Sequence, residues 1–206
     1  MRYDLCTPLS EADVRRLVIG DEVTLSGQAF TGRSRIHRYV FDEGHALPFS
    51  TARKNAMIHV GPIVVREESA WRLVSFMPTS SIRFEKWGAQ SVEQWGLRMI
   101  VGKTTMREQT MQAMQRYGCV HVSPQCVSPN LWQRSIRIDG VELFTELGSI
   151  EASWQLTLDR LGPFIVDIDA NGANLFSAMD AHVASVRREV LREMGVPDDF
   201  TPTRLY

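Results

Sequence analysis

Three short apolar runs, residues 56–60, 97–101 and 119–122, constrain the fold of this chain more than any other feature. Each is rich in Val, Ile and Met and stops at a glycine or a Ser-Pro step, the pattern of a buried strand. Segments with helical spacing separate them. Residues 105–117 align Met106, Thr110, Ala113 or Met114, and Tyr117 on one face. The Pro78-Thr79-Ser80-Ser81 loop carries helix-start chemistry, and a helix is expected from there through Phe84 and Trp87 to about Trp95. Upstream, Ser10-Glu11-Ala12-Asp13 reads as a capping box for a short helix to about Arg16. Residues 22–27 alternate as a strand, and residues 63–65 and 71–76 flank Arg66-Glu67-Glu68-Ser69 as a hairpin. A helix is expected over residues 33–41, with Ile36 and Val40 on one face, and two further strands over 154–158 and 163–168. Met179, Val183, Val186, Val190 and Met194 recur at helical spacing, giving a C-terminal amphipathic helix with Arg187, Arg188 and Arg192 on its wet side. The alternation predicts an α/β or α+β domain on a mixed sheet.

Composition excludes several classes. The 206 residues carry a net charge of −1, which supplies no global field for nucleic acid or anionic lipid. No apolar run approaches the ~18 residues of a membrane span, and no signal-peptide core follows Met1; a cytoplasmic protein is expected. The three cysteines are too few for a disulfide framework. Cys119 and Cys126 are seven apart, which fits neither zinc nor iron–sulfur spacing. Cys119 reads as a small core residue and His59, on its strand, as a satisfied core histidine.

Gly102-Lys103-Thr104 lacks the earlier glycine that a phosphate-binding loop requires, because Leu97 stands there. Asp167-x-Asp169-x-Asn171-Gly172 lacks the bidentate carboxylate of a calcium loop at its twelfth position, Ala178, and reads as a strand followed by a turn. What remains is a set of polar groups at strand and loop ends. Arg33 and His37 are four apart, within a knot that adds Arg35 and Arg38; Thr79-Ser80-Ser81 precedes Arg83; Lys103 follows a strand and a glycine. Twenty of the 23 basic residues are arginine, the side chain whose planar fork grips carboxylates in two places. Three cations near a helix N-terminus suit a small dianion.

The same residues carry a family resemblance. In order, the chain presents Gly20-Asp21, Leu25-Ser26-Gly27, Arg33 with His37, Leu47-Pro48-Phe49 and His59-Val60-Gly61-Pro62. There follow Pro78-Thr79-Ser80-Ser81-x-Arg83, Val101-Gly102-Lys103, Thr145-Glu146-Leu147-Gly148, and Gly162-Pro163 through Asn174-Leu175. This ordered set resembles the β subunit of L-tartrate dehydratase, equivalently the C-terminal domain of class I iron–sulfur fumarate hydratases.

The resemblance implies a swivelling β/β/α domain with a mixed, partly barrel-like sheet and flanking helices over residues 1–176. Residues 177–206 form a C-terminal helix and tail. It implies a hydro-lyase acting on a small di- or hydroxy-carboxylate, fumarate/malate- or tartrate-like. Its [4Fe–4S] cluster is expected on a partner α subunit, in an assembly of two α and two β subunits, and is not ligated by this chain. Arg33, Arg83 and Lys103 match the family's carboxylate ligands, with Ser80 a further substrate contact. Thr79 matches the proton-abstracting threonine, and His37 the histidine that orients substrate or relays a proton. A module that binds carboxylate or serves assembly without catalysis is the alternative reading. Ser34 stands where the family has Asp, which is expected to free or re-aim the Arg33 guanidinium. Met77 stands where the family has Gly, and Ile82, in place of a small residue, is expected to narrow the pocket.

Overall fold

The computed structural model describes residues 1–68, 70–125, 128–197 and 199–203. Ser69 of the expected hairpin turn and Cys126 lie outside the described residues. The chain divides into two compact units, Met1–Asn174 and Leu175–Tyr206.

In the first unit the strands are β1 (Arg2–Cys6), β2 (Glu22–Thr31), β3 (Ala56–Ile58), β4 (Ile63–Glu67), β5 (Ala70–Ser75), β6 (Met99–Val101), β7 (Val120–Pro124), β8 (Ile136–Glu142) and β9 (Ser153–Ile168). Five of them close on themselves in the order β2-β3-β6-β7-β9 and back to β2. β2, β3, β6 and β7 run parallel, and β9 runs antiparallel to both its barrel neighbours. β1 extends the sheet beside β2, β8 does so beside β9, and β4 and β5 form a separate hairpin. The fold is therefore a mixed, barrel-like α/β architecture with flanking helices.

Period-2 alternation sends each barrel strand's side chains to two cores. Ala56, Ile58, Met99, Val101, Val120 and Val122 join one cluster with Val23, Leu25, Trp154, Leu156, Phe164 and Val166. Met57, Ile100 and Ile168 face the other way. There they meet Val92, Trp95, Met106 and Met114, which belong to or adjoin α3 (Glu85–Gln94) and α4 (Glu108–Tyr117). The short α1 (Glu11–Arg15) forms where its capping box stands, with Ser10 and Asp13 bonding reciprocally.

Three sequence expectations change. The two strands expected over 154–158 and 163–168 are one 16-residue strand, β9. Its Asp159-Arg160-Leu161-Gly162 stretch has turn composition, but register shifts opposite β2 absorb it as bulges. Arg160 takes φ +47° and Gly162 φ +146°, and a Cβ on Gly162 would lie 2.9 Å from the Val23 carbonyl oxygen. The single helix expected over 33–41 is split into α2 (Ser34–His37) and a π-helical turn, Arg38–Asp42. Neither piece has a side-chain cap, and burial of Ile36 and His37 rather than helical spacing sets the local geometry. β1, β8 and the one-turn α5 (Phe144–Leu147) were not expected, because each carries too few apolar residues to register as a periodic run.

The second unit holds α6 (Leu175–Glu193), in which no residue is buried. Val196 and Phe200 of the tail share a concave surface with Ala184 and Leu191 of this helix. Among the described residues no helix is long and apolar enough to cross a membrane.

Where α3 crosses α4, Gly88 allows close approach. A Cβ there would lie 2.1 Å from Thr110 Oγ1 and 2.8 Å from Met106 Cε. Gly88→Ala is expected to lower stability by about 1–3 kcal/mol through overpacking, despite the better helix propensity of alanine. A urea-unfolding midpoint at or above that of the parent would contradict this packing.

Candidate functional site

Because β2, β3 and β6 are parallel, their C-terminal ends share one rim of the barrel. Arg33 follows β2, His59-Val60-Gly61 follows β3, and Gly102-Lys103 follows β6. Such a rim is where open parallel sheets place ligands. The segment 79–81 is stitched between two of these ends. The Thr79 amide donates to the His59 carbonyl (2.6 Å), the Lys103 amide to the Thr79 carbonyl (3.2 Å), and the Ser81 amide to the Lys103 carbonyl (2.9 Å). Ser80 and Lys103 thereby pair as a parallel bridge. A 3-10 turn, Ser81–Phe84, then carries Arg83. Thr104 adopts φ +62°, a left-handed conformation that costs a β-branched residue on the order of 1–3 kcal/mol.

The predicted cations differ in their surroundings. Arg83 and Lys103 are exposed, and among the described residues neither side chain has a hydrogen-bond or ion-pair partner. Arg33 is half-buried. Its Nε lies 3.2 Å from Glu151 Oε1, in an orientation that leaves the Nε hydrogen without an acceptor among the described residues. Its guanidinium rests against Gly61, where a Cβ would lie 2.6 Å from Nη1. Ser34 therefore does not free Arg33. Glu151 supplies a carboxylate from the turn before β9, and its second oxygen accepts the Ser34 hydroxyl (3.4 Å) and the Arg35 amide (2.9 Å). The basic knot disperses as well: Arg35 bonds the carbonyls of Leu147 and Glu146, and Arg38 pairs with Glu43.

His37 points inward. It is fully buried against Phe84, Trp87 and Trp95, with ring centroids 5.5, 5.8 and 5.1 Å away. Its Nδ1 lies 2.6 Å from the Arg33 carbonyl oxygen, and its Nε2 has no partner among the described residues. Burial depresses its pKa to about 4, so it is neutral near pH 7 and its Nδ1–H ties down the backbone of Arg33. His59 is also held well below the usual histidine range, first by burial and then by the neighbouring His37 and His121.

Sequence reasoning missed a buried polar chain beneath the 79–81 segment. Ser81 Oγ lies 2.7 Å from His121 Nε2 and 2.9 Å from His59 Nδ1, and His121 Nδ1 lies 2.5 Å from Asp167 Oδ1. The Ser123 hydroxyl donates to the other Asp167 oxygen. Asp167 and His59 are 1% exposed, Ser81 and His121 0%. The only signal in the sequence was polar residues inside apolar strand runs. Asp169 accepts the amides of Asn171 and Ala173 in the turn after β9, as the strand-and-turn reading of this stretch expects.

Cys119 does not suit an iron–sulfur cluster. Burial pushes the Cys119 thiol strongly up, away from the thiolate that ligates iron. Among the described residues no three His, Cys, Asp or Glu side chains gather as metal ligands.

Residues 1–179 match the family described as "Fumarase C-terminus", and the chain belongs to that family. It is 30% identical over 194 residues to the L(+)-tartrate dehydratase subunit beta of Escherichia coli (strain K12), covering 94% of this chain and 96% of that one. It is 29% identical to a putative L(+)-tartrate dehydratase subunit beta of Methanocaldococcus jannaschii, covering 89% and 95% of the two chains. A putative fumarate hydratase class I of Geobacillus stearothermophilus is 31% identical over 173 residues, 83% of this chain and 33% of that longer one.

The buried histidines make folding sensitive to acid. In the unfolded chain His37 takes up a proton near pH 6.5; in the folded chain it does so only near 4. The unfolded state therefore binds more protons between these values. Stability is fully present above pH 6.5 and is lost as pH falls towards 4, by roughly 3 kcal/mol for His37 alone. Urea midpoints measured from pH 7 to pH 4 should fall accordingly, and His37→Gln should flatten the slope. A His37 imidazole NMR signal titrating near pH 6.5 would contradict the burial.

Proposed function

We propose that this chain is the β subunit of a two-subunit hydro-lyase. It would add water across, or remove water to form, a carbon–carbon double bond beside the carboxylates of a small di- or hydroxy-carboxylate, fumarate/malate- or tartrate-like. The observation that most supports this reading is the backbone stitching of Thr79 to Lys103, with Arg83 four residues beyond Thr79 and Arg33 on the same rim. Residues 1–176 then act as the swivelling domain, and residues 177–206 as an appendage to it.

Lys103 and Arg83, lacking protein partners among the described residues, hold substrate carboxylates through charge-assisted hydrogen bonds. The same charges stabilise the carbanion-like density that develops as the α-proton leaves. Arg33, held by Glu151 and Gly61, offers a third, pre-oriented cation. Ser80, on the same bridge, makes a further substrate contact. The Thr79 hydroxyl accepts the α-proton; an ordinary hydroxyl is a weak base, so the nearby cations must favour its deprotonated form. His37 acts through Arg33, whose carbonyl it holds, and orients substrate only indirectly. The [4Fe–4S] cluster belongs to an α subunit, the partner that the "subunit beta" of the relatives' names implies. We take the assembly to be two α and two β subunits.

The test is anaerobic reconstitution with a candidate α subunit, assayed on L-tartrate, fumarate and malate. The chain alone should be inactive, and the complex active on one of them. Arg83→Ala should lower kcat/KM by about 2–4 kcal/mol in transition-state stabilisation, roughly 30- to 1,000-fold. Thr79→Ala should lower kcat more than it raises KM. Dehydratase activity of the chain alone would overturn the two-subunit reading. Dicarboxylate binding with no activity in any complex would favour the non-catalytic module.

A further inference from the structure

Ser81 lies midway between Thr79 and Arg83, and its side chain enters the buried chain Asp167–His121–Ser81–His59. The proton positions follow from what each group can do. An ionised Asp167 only accepts, so His121 Nδ1 carries a hydrogen. A neutral His121 then presents a bare Nε2, which accepts the Ser81 O–H. Ser81 oxygen in turn accepts from His59, whose Nδ1 must carry a hydrogen, leaving His59 Nε2 bare. This order leaves a lone pair unpaired at His59 Nε2, which has no partner among the described residues. The reverse order would bury an N–H with no acceptor, the rarer and costlier defect. Gly102 makes the chain sterically possible: a Cβ there would lie 1.7 Å from Ser81 Oγ and 2.9 Å from His121 Nε2.

The backbone closes the same loop. Ser81 donates its amide to Lys103 while its hydroxyl reaches His121, and His59 holds Ser81 by its ring and Thr79 by its carbonyl. We propose that Ser81, His121 and Asp167 are positioning residues that lock the 79–83 segment against Lys103, with every proton in the chain directed towards Asp167. The proposal rests on the hydro-lyase reading only for its catalytic consequence. The proton order and the lock are properties of this chain alone.

The first readout is a long-range proton–nitrogen NMR correlation on the full chain labelled with 15N-histidine, at pH 7. His121 and His59 should both appear as Nδ1–H tautomers. A doubly protonated or Nε2–H His121 in the parent chain would overturn the proton order. The second readout is amide hydrogen exchange. Ser81→Ala and Asp167→Asn should each speed exchange at Ser81 and Lys103 at least ten-fold while the β2–β9 amides hold. Unchanged exchange at those two amides in both variants would overturn the lock. The third is kinetic: in an active complex, Ser81→Ala should lower kcat at least ten-fold with KM within two-fold, and an unchanged kcat would remove the catalytic consequence. A parent complex inactive on L-tartrate, fumarate and malate would count against the hydro-lyase reading, while tautomer and exchange data would still decide the lock.

Discussion

The pairing of β2 with β9 is the interaction on which the rest of the structure depends. β9 runs antiparallel along nearly the whole of β2, while its other edge takes β8 and then β7. That double engagement turns an open row of parallel strands into a closed barrel, with β1 and β8 left as the outer strands of the sheet. Direct parallel pairing of β3 with β2 and with β6 brings the C-terminal ends of these three strands to one rim and fixes the spacing of Arg33, Gly61 and Lys103.

The rim is built largely from backbone. Thr79, Ser80 and Lys103 are located by amide–carbonyl bonds, which set position through short, direction-dependent contacts. The side chains left over are then available for chemistry: a half-buried threonine and two exposed cations. Beneath them the polar chain from Asp167 to His59 supplies stiffness. A buried, paired network of this kind holds one geometry, because breaking any link leaves an unsatisfied group in a low-dielectric interior.

Much of this was legible in the residues. The buried strands β3, β6 and β7, helices α3 and α4, the hairpin and the helix in the last unit all follow from periodicity and turn chemistry. The cations of the rim were legible as polar groups at strand ends. The bent strand β9 was not, because its turn-like Asp159-Arg160-Leu161-Gly162 segment can be read as extended only when β2 is beside it. The pairing of Arg33 with Glu151 was equally hidden. It spans 118 positions, and the neighbouring Ser34 by itself left open whether the guanidinium is freed or re-aimed.

By itself the sequence determined the element types, the absence of a strong charge field, and which polar residues stand at the ends of strands. It did so because local periodicity and capping act over a few residues. Only the tertiary structure decided which of those residues meet. His37, four positions from Arg33, turns into an aromatic core and touches Arg33 only through its carbonyl. Ser81, His121 and Asp167, 40 and 46 positions apart in turn, form one hydrogen-bonded chain. The reason is closure of the barrel: it sets distances between strands, and no local preference carries that information.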